Sequence, residues 1–309
     1  MHSVAELFEA VPCPICGSRE FEVQHPAKYP PDIDPEKLKQ AFRASSDHRL
    51  LDQVVKCRQC EMTYVTPRLR PDLILSGYSD AEDPLFAQQN DWRIAAFRKT
   101  LRKALRRLEM DPKGKRVLDV GCAGGAFLVA ARDFGFDVAG VEPSRWMAAF
   151  GRKRYGLDIR DGILTPGMFP PASFDVITLW DVIEHVPDPA QALAVIHDLL
   201  KPGGYLFVNY PDIASIAARL LGKRWPFWLS VHLLYYTPKT ITRQLEQAGF
   251  SPLWRQPFWA ILPLGYVAQR AAPYGRLFAP LPKMIRAVGL QEFPLQYNIG
   301  QTLVVSQIR

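Results

Sequence analysis

Four cysteines stand in two pairs, Cys13-Pro14-Ile15-Cys16 and Cys57-Arg58-Gln59-Cys60. A two-residue spacer lets both sulfurs of a pair turn toward one ion. Four thiolates then make a closed tetrahedral zinc site, structural because no coordination position stays open. Two disulfides or an idle set of thiols are the alternatives, and an intracellular setting disfavours the disulfides. The other chemical stretch runs from Val117 to Leu128, Val-Leu-Asp-Val-Gly-Cys-Ala-Gly-Gly-Ala-Phe-Leu. An apolar run ends in Asp119, passes a glycine-dense turn and opens an apolar-periodic helix. Glycines there let backbone N–H groups approach a ligand that a Cβ would strike. A second apolar run ends in Glu142, where an acid can accept from two ribose hydroxyls. A nicotinamide cofactor fits this much, but the loop reads Gly-x-Ala-x-Gly, not Gly-x-Gly-x-x-Gly.

Two histidines follow predicted strand ends, where ligands collect in open α/β sheets. His185 comes after the fourth strand and His232 after the fifth. Imidazole suits proton transfer near neutral pH. The competing readings are a loop-organising His185 and a buried structural His232.

The elements that must position these residues alternate. Strands are predicted over 116–120, 136–141, 157–160, 174–180 and 205–209, with helices over 124–134, 144–155 and 189–200 between them. This is a doubly wound α/β sheet. Thr237 caps a helix with Pro238 at its first position. Strands follow near 252–255 and over 302–307. The intervening insertion, 256–300, is broken by proline and glycine into short helices. Residues 1–70 form a zinc-ribbon module, with a short helix expected over 35–44 and a return strand at Val54-Val55. Residues 71–114 form a connector and a basic helix starting at an Asn90 or Asp91 cap. The sheet domain spans 115–309. On the basic helix Ile94, Phe97, Leu101, Leu105 and Leu108 face inward. Arg93, Arg98, Lys99, Arg102, Lys103, Arg106 and Arg107 make either a solvated face or a phosphate strip.

The chain has 309 residues, 48% hydrophobic, with a net charge of +7. That suits one large core plus a satellite and suggests an anionic partner. No apolar run reaches the ~20 residues of a spanning helix, and residues 1–11 do not read as a signal peptide. The expected location is cytoplasmic, with peripheral contact at the inner membrane face as an extension. In the insertion, 251–290 contains no acid. Its Trp, Phe and Leu either complete the core or form a basic, aromatic interfacial patch.

Five motifs in order carry a family resemblance: Leu118-Asp119-Val120-Gly121-Cys122, Val141-Glu142-Pro143-Ser144, Phe174-Asp175-Val176-Ile177, Asp181-Val182-Ile183-Glu184-His185-Val186-Pro187-Asp188-Pro189 and Leu200-Lys201-Pro202-Gly203-Gly204. The chain resembles class I S-adenosylmethionine (SAM) methyltransferases related to the ubiquinone-pathway O-methyltransferases. It looks most like zinc-ribbon members associated with polysaccharide and glycolipid biosynthesis. The resemblance implies a seven-stranded Rossmann-like sheet ending in an antiparallel strand. It implies that Asp119, Gly121, Ala123 and Gly125 line the cofactor, that Glu142 grips its ribose and that Asp161 accepts the adenine amine, unless Asp161 is only a turn acid. Trp180 would bound the cofactor and Asp181 face its amino group. His232 lies in His-x-x-Tyr-Tyr-Thr, similar to the Tyr-x-Glu-His-x-x-Tyr-Phe of zinc-bearing deoxysugar C-methyltransferases, whose His is catalytic. Here Leu229 and Val231 replace that Tyr and Glu.

The expected activity is methylation of a hydroxyl on a small-molecule, sugar, glycolipid or lipid-linked acceptor, with SAM and a structural zinc as cofactors. Two other classes stay open. One is RNA base methylation through the ribbon and basic helix, disfavoured because no Asn-Pro-Pro-Tyr-type loop follows the fourth strand. The other is a non-catalytic assembly protein on the same scaffold.

Overall fold

The computed structural model describes residues 7–29, 50–79, 82–272 and 278–309. The N-terminal part supplies β1 (Phe8–Glu9), β2 (Phe21–His25), β3 (Val54–Cys57), β4 (Thr63–Val65) and β5 (Arg68–Leu69). β2, β3 and β4 pair antiparallel in succession, and β3 is the expected return strand. The helix expected over 35–44 lies outside the described residues.

Next come α1 (Pro71–Ser79), α2 (Pro84–Gln88) and α3 (Asn90–Leu108), so the connector has structure of its own. Helix α3 buries Ile94, Leu101 and Leu105 as expected. Its start differs from expectation. The cap is Gln89, with no side-chain bond, while Asn90 Nδ2 donates to the Gly124 carbonyl at 3.1 Å. The basic face is also partly engaged. Arg93 donates to the Phe86 carbonyl at 2.7 Å and lies over the Phe86 ring. Arg98 pairs with Asp133, Lys99 reaches Gln296 and Arg107 covers Trp254. Among the described residues only Arg98 of this face has an acidic partner, and Arg102, Lys103 and Arg106 keep their charges outward.

The remaining elements are β6 (Arg116–Val120), α4 (Ala126–Phe134), β7 (Asp137–Glu142), α5 (Arg145–Tyr155), β8 (Ile159–Asp161), β9 (Phe174–Trp180), α6 (Pro189–Leu199), β10 (Leu200–Pro211), α7 (Ile216–Leu221), β11 (Leu234–Tyr235), α8 (Pro238–Gln247), β12 (Phe250–Pro257), β13 (Ala260–Pro263), α9 (Leu264–Ala271), α10 (Leu281–Ala287), β14 (Pro294–Tyr297) and β15 (Gln301–Ile308). Seven strands form one mixed sheet in the order β12-β15-β10-β9-β6-β7-β8. β15 runs antiparallel to both its neighbours. Val117, Leu118, Val176, Ile177, Leu206 and Val208 are buried, so the central strands are covered on both faces, as a parallel sheet requires. The strand expected over 205–209 begins earlier, with residues 200–204 an irregular start to β10.

Two features depart from the expected layout. The insertion is not purely helical: β13 and β14 form an antiparallel ribbon with α9 and α10 between them. And β11 adds to β4, so the second half of the chain completes the cysteine-bearing sheet. A two-residue strand carries no pattern that sequence reasoning can find.

Candidate active site

The glycine loop joins β6 to α4. Gly121, Ala123 and Gly125 all have positive φ, at 70°, 45° and 77°. At Gly121 an added Cβ would lie 2.6 Å from Val182 Cγ2. Ala123 stands where the resemblance has a glycine, in a left-handed conformation that costs an L residue roughly 1–2 kcal/mol. Glu142 supports it. The Ala123 N–H donates to Glu142 Oε2 at 2.7 Å, and the Ser144 N–H to Oε1 at 2.8 Å. Asp119 accepts from Thr178 Oγ1 at 2.6 Å. Burial raises the Asp119 carboxyl to about 8 and that of Glu142 to about 7. Two buried acids lifted toward their neutral forms suit a ligand that brings hydroxyl donors and positive charge.

Trp180 ends β9 in an aromatic group with Phe97, Phe127 and Phe258. Asp181 follows with φ 55°. Its carboxylate accepts from Asn209 Nδ2 at 2.8 Å and Gln301 Nε2 at 2.6 Å, and burial raises it to about 6. Asp161, at the end of β8, is exposed and paired with Arg152 at 2.8 Å. It lies beside the cleft with its carboxylate already engaged.

The same turn carries Glu184 and His185. The His185 and His232 rings meet edge to face, 4.7 Å between centroids. His185 Nδ1 lies 2.9 Å from the Val231 carbonyl, and His232 Nδ1 lies 2.9 Å from the Phe227 carbonyl. A carbonyl only accepts, so each Nδ1 carries the proton, and Nε2 of the neutral ring is the basic nitrogen. Burial depresses both imidazoles, His185 to about 4, which keeps them neutral at pH 7. Glu184 is buried, and neither carboxylate oxygen has a hydrogen-bond partner among the described residues. Its carboxyl is pushed up by burial and then by Asp181. One ligand atom from each of Glu184, His185 and His232 falls within 4.8 Å of the others, a donor set suited to a divalent cation.

The four cysteines converge similarly. Their sulfurs lie within 4.8 Å of one another, with Cys13 to Cys60 at 3.3 Å and Cys16 to Cys57 at 3.5 Å. All are free thiols. Burial opposes ionisation of Cys57, but the Cys60 and Gln59 amides outweigh it and lower that thiol to about 7. The cluster is consistent with zinc, and Cys122 stays apart in the glycine loop. The cysteine sheet reaches the histidines directly. The Val65 N–H donates to the Leu233 carbonyl at 2.9 Å, and the Leu233 N–H to the Glu184 carbonyl at 2.8 Å. Sequence reasoning missed Glu184, Asn209 and Gln301. Glu184 sat in a quoted motif beside His185. Asn209, a lone amide ending an apolar strand, was a weak signal, and Gln301 gave none.

The methyltransferase domain family matches residues 92–253. This chain belongs to that family. The methyltransferase is 30% identical over 149 residues to the ubiquinone biosynthesis O-methyltransferase of Aeromonas salmonicida, covering 44% of this chain and 63% of the relative. The corresponding figures for that of Dinoroseobacter shibae are 32% over 153 residues, 46% and 62%. It thus spans under two thirds of these relatives. The fold is shared with a chain of the complex containing the Haloferax volcanii Trm112 methyltransferase activator, at TM-score 0.52 and 18% identity, covering 72% of this chain and 94% of that one. The chain carries a class I SAM-dependent methyltransferase domain, distantly related to the ubiquinone O-methyltransferases.

One expected result follows from the raised acids. SAM held beside Asp119 and Glu142 would bring a cation and ribose donors, which favour the charged carboxylates. Binding by the methyltransferase therefore releases protons, and affinity falls as pH drops below the values of about 8 and 7 at Asp119 and Glu142. Titration calorimetry in buffers of different ionisation enthalpy measures this. Identical apparent enthalpies in all buffers would contradict it.

Proposed function

We propose that this SAM-dependent methyltransferase acts on a hydroxyl of a sugar, glycolipid or lipid-like acceptor. His232 takes the proton as oxygen attacks the methyl carbon, the carbon–sulfur bond breaks, and S-adenosylhomocysteine leaves. The sulfonium is its own leaving group, so alignment and deprotonation are the enzyme's main tasks. The observation that carries this reading is the neutral His185–His232 pair beside the end of β9. Asp119, Gly121, Ala123, Gly125 and Glu142 would hold SAM. Trp180 would bound it, with Asp181 positioned by Asn209 and Gln301.

A second reading is favoured by the partnerless Glu184 carboxylate. Glu184, His185 and His232 would hold a divalent cation that lowers the pKa of the acceptor hydroxyl. Chelation separates the two. Activity that survives chelation mild enough to leave the cysteine-bound zinc in place supports His232 as base, and activity lost with that zinc retained and restored by added Mg²⁺ or Mn²⁺ supports the cation.

The acceptor class draws support from the insertion. Trp259, Met284, Val288, Leu290 and Phe293 are exposed, with Lys283 and Arg286 on the same segment. Radiolabelled methyl transfer from SAM to sugars, glycolipids and bulk RNA tests the reading. Label confined to RNA would overturn it.

A further inference from the structure

Helix α7 presents apolar side chains outward. Ile216 is 77% exposed, Leu220 82% and Leu221 42%. Ile216 and Leu220 are one helical turn apart and share a face. Residues 216–224 contain Arg219, Lys223 and Arg224 and no acid. The helix is held in place rather than trailing. Ser215 caps it, with the Ala218 N–H donating to Ser215 Oγ at 3.1 Å. Trp228 Nε1 donates to the Gly222 carbonyl at 3.0 Å, just past its end. Trp225 Nε1 donates to the Ile299 carbonyl at 2.6 Å.

Beside this helix lies a cavity of about 130 Å³, between the cysteine-bearing sheet and the 223–228 turn. Lys28, Lys223 and Arg224 reach it, His25 and Trp228 wall it with rings 4.6 Å apart, and Asp52 lies at its base. Asp52 is engaged by the Tyr29 hydroxyl. Among the described residues none of the three cations has an acidic partner. The His25 ring is depressed by burial and then by Lys223 and Lys28, both of which line the cavity. Backbone bonds brace its walls: the Lys28 N–H to the Leu51 carbonyl at 2.8 Å, and the Leu50 N–H to the Trp228 carbonyl at 3.1 Å.

A cavity reached by three cations beside a protruding apolar helix matches one kind of ligand, an amphiphile with an anionic headgroup. We propose that α7 and this cavity dock the protein on an anionic membrane. Ile216 and Leu220 enter the acyl boundary while Lys28, Lys223 and Arg224 take a lipid phosphate. Contacts between rings lead on from the cavity. His25 meets Trp228, Trp228 meets Trp225, Trp225 meets Phe227, and Phe227 stacks on His232. A lipid-linked acceptor anchored here would sit on the side of the molecule that these packed rings connect to the histidine pair. That consequence rests on the acceptor class proposed above, whereas the docking does not.

Vesicle flotation of the full chain tests it, with neither SAM nor acceptor present. The vesicles are phosphatidylcholine alone, or phosphatidylcholine and phosphatidylglycerol in equal parts. The protein floats with the mixed vesicles at low salt. Ile216→Ser with Leu220→Ser, and separately Lys223→Glu with Arg224→Glu, lower the bound fraction about tenfold or more. Both variants keep wild-type SAM affinity, which shows that they fold. Inorganic phosphate competes better than chloride at equal ionic strength if the cavity takes the phosphate group. Equal inhibition by the two salts would overturn the assignment of the cavity. No flotation, flotation unchanged in the Ile216→Ser/Leu220→Ser protein, or a dimer in solution that this variant dissociates without any vesicle binding would overturn the docking. Failure here leaves methylation of a water-soluble acceptor standing. Failure of glycolipid methylation leaves the docking standing.

Discussion

In the His232→Ala enzyme, turnover falls by ~10²–10⁴-fold, the loss expected for a positioned general base. SAM affinity stays close to wild type, because the glycine loop and Glu142 do not touch this ring. The ring is buried and its Nδ1 is held by the Phe227 carbonyl, so only Nε2 is available to an acceptor. Removing a buried ring also leaves a void. His232→Gln, which fills more of the space and cannot act as a base at neutral pH, separates chemistry from packing. It should be as inactive as the alanine variant while melting nearer the wild type. Single-turnover methyl transfer with saturating SAM measures the effect. Full activity in His232→Gln would make the residue structural.

The second large effect is at the cysteines. Structural zinc in small modules contributes an apparent ~10–16 kcal/mol of folding free energy at pH 7, so Cys57→Ser should lose the metal and unravel the β2–β3–β4 sheet. That damage travels. β4 holds β11, and Leu233 bridges Val65 to Glu184. The sheet therefore braces the segment that carries His232 and the turn that carries His185. Cys57→Ser, or zinc removal under strong chelation, is expected to abolish turnover while SAM binding, proposed for the separate glycine loop, is retained. Elemental analysis should find one zinc per chain in the wild type and none in the variant. A metal-free wild type, or a Cys57→Ser enzyme with normal turnover, would contradict the account.

The parallel sheet was legible because each strand is a continuous apolar run ending at a loop with chemistry in it. Asp119, Glu142 and Trp180 lie at the strand ends where that pattern put them. The cysteine cluster was legible from spacing alone. Three things were not. The start of α3 is set by the tertiary bond from Asn90 to Gly124 rather than by a cap. On the basic face of α3, Asp133, Gln296 and Trp254, all from distant elements, engage Arg98, Lys99 and Arg107. The β13–β14 ribbon forms because two short apolar segments pair across the insertion, which composition rich in proline and glycine does not reveal. Each miss is a contact between residues far apart in the chain, and a local pattern carries no information about such contacts. The pairing of Glu184 with the two histidines is of the same kind, since it depends on β11 bringing His232 back to the end of β9.

The central claim is that the loop from Asp119 to Gly125, backed by Glu142, is the SAM site. Titration calorimetry of SAM against wild-type protein and Glu142→Ala tests it most directly. Glu142 would accept from the ribose and also props the strained Ala123 N–H. The variant is therefore expected to lose about 1.5–3 kcal/mol of binding free energy, the range for hydrogen bonds to charged groups. Wild-type affinity in Glu142→Ala, or no SAM binding by the wild type, would contradict it.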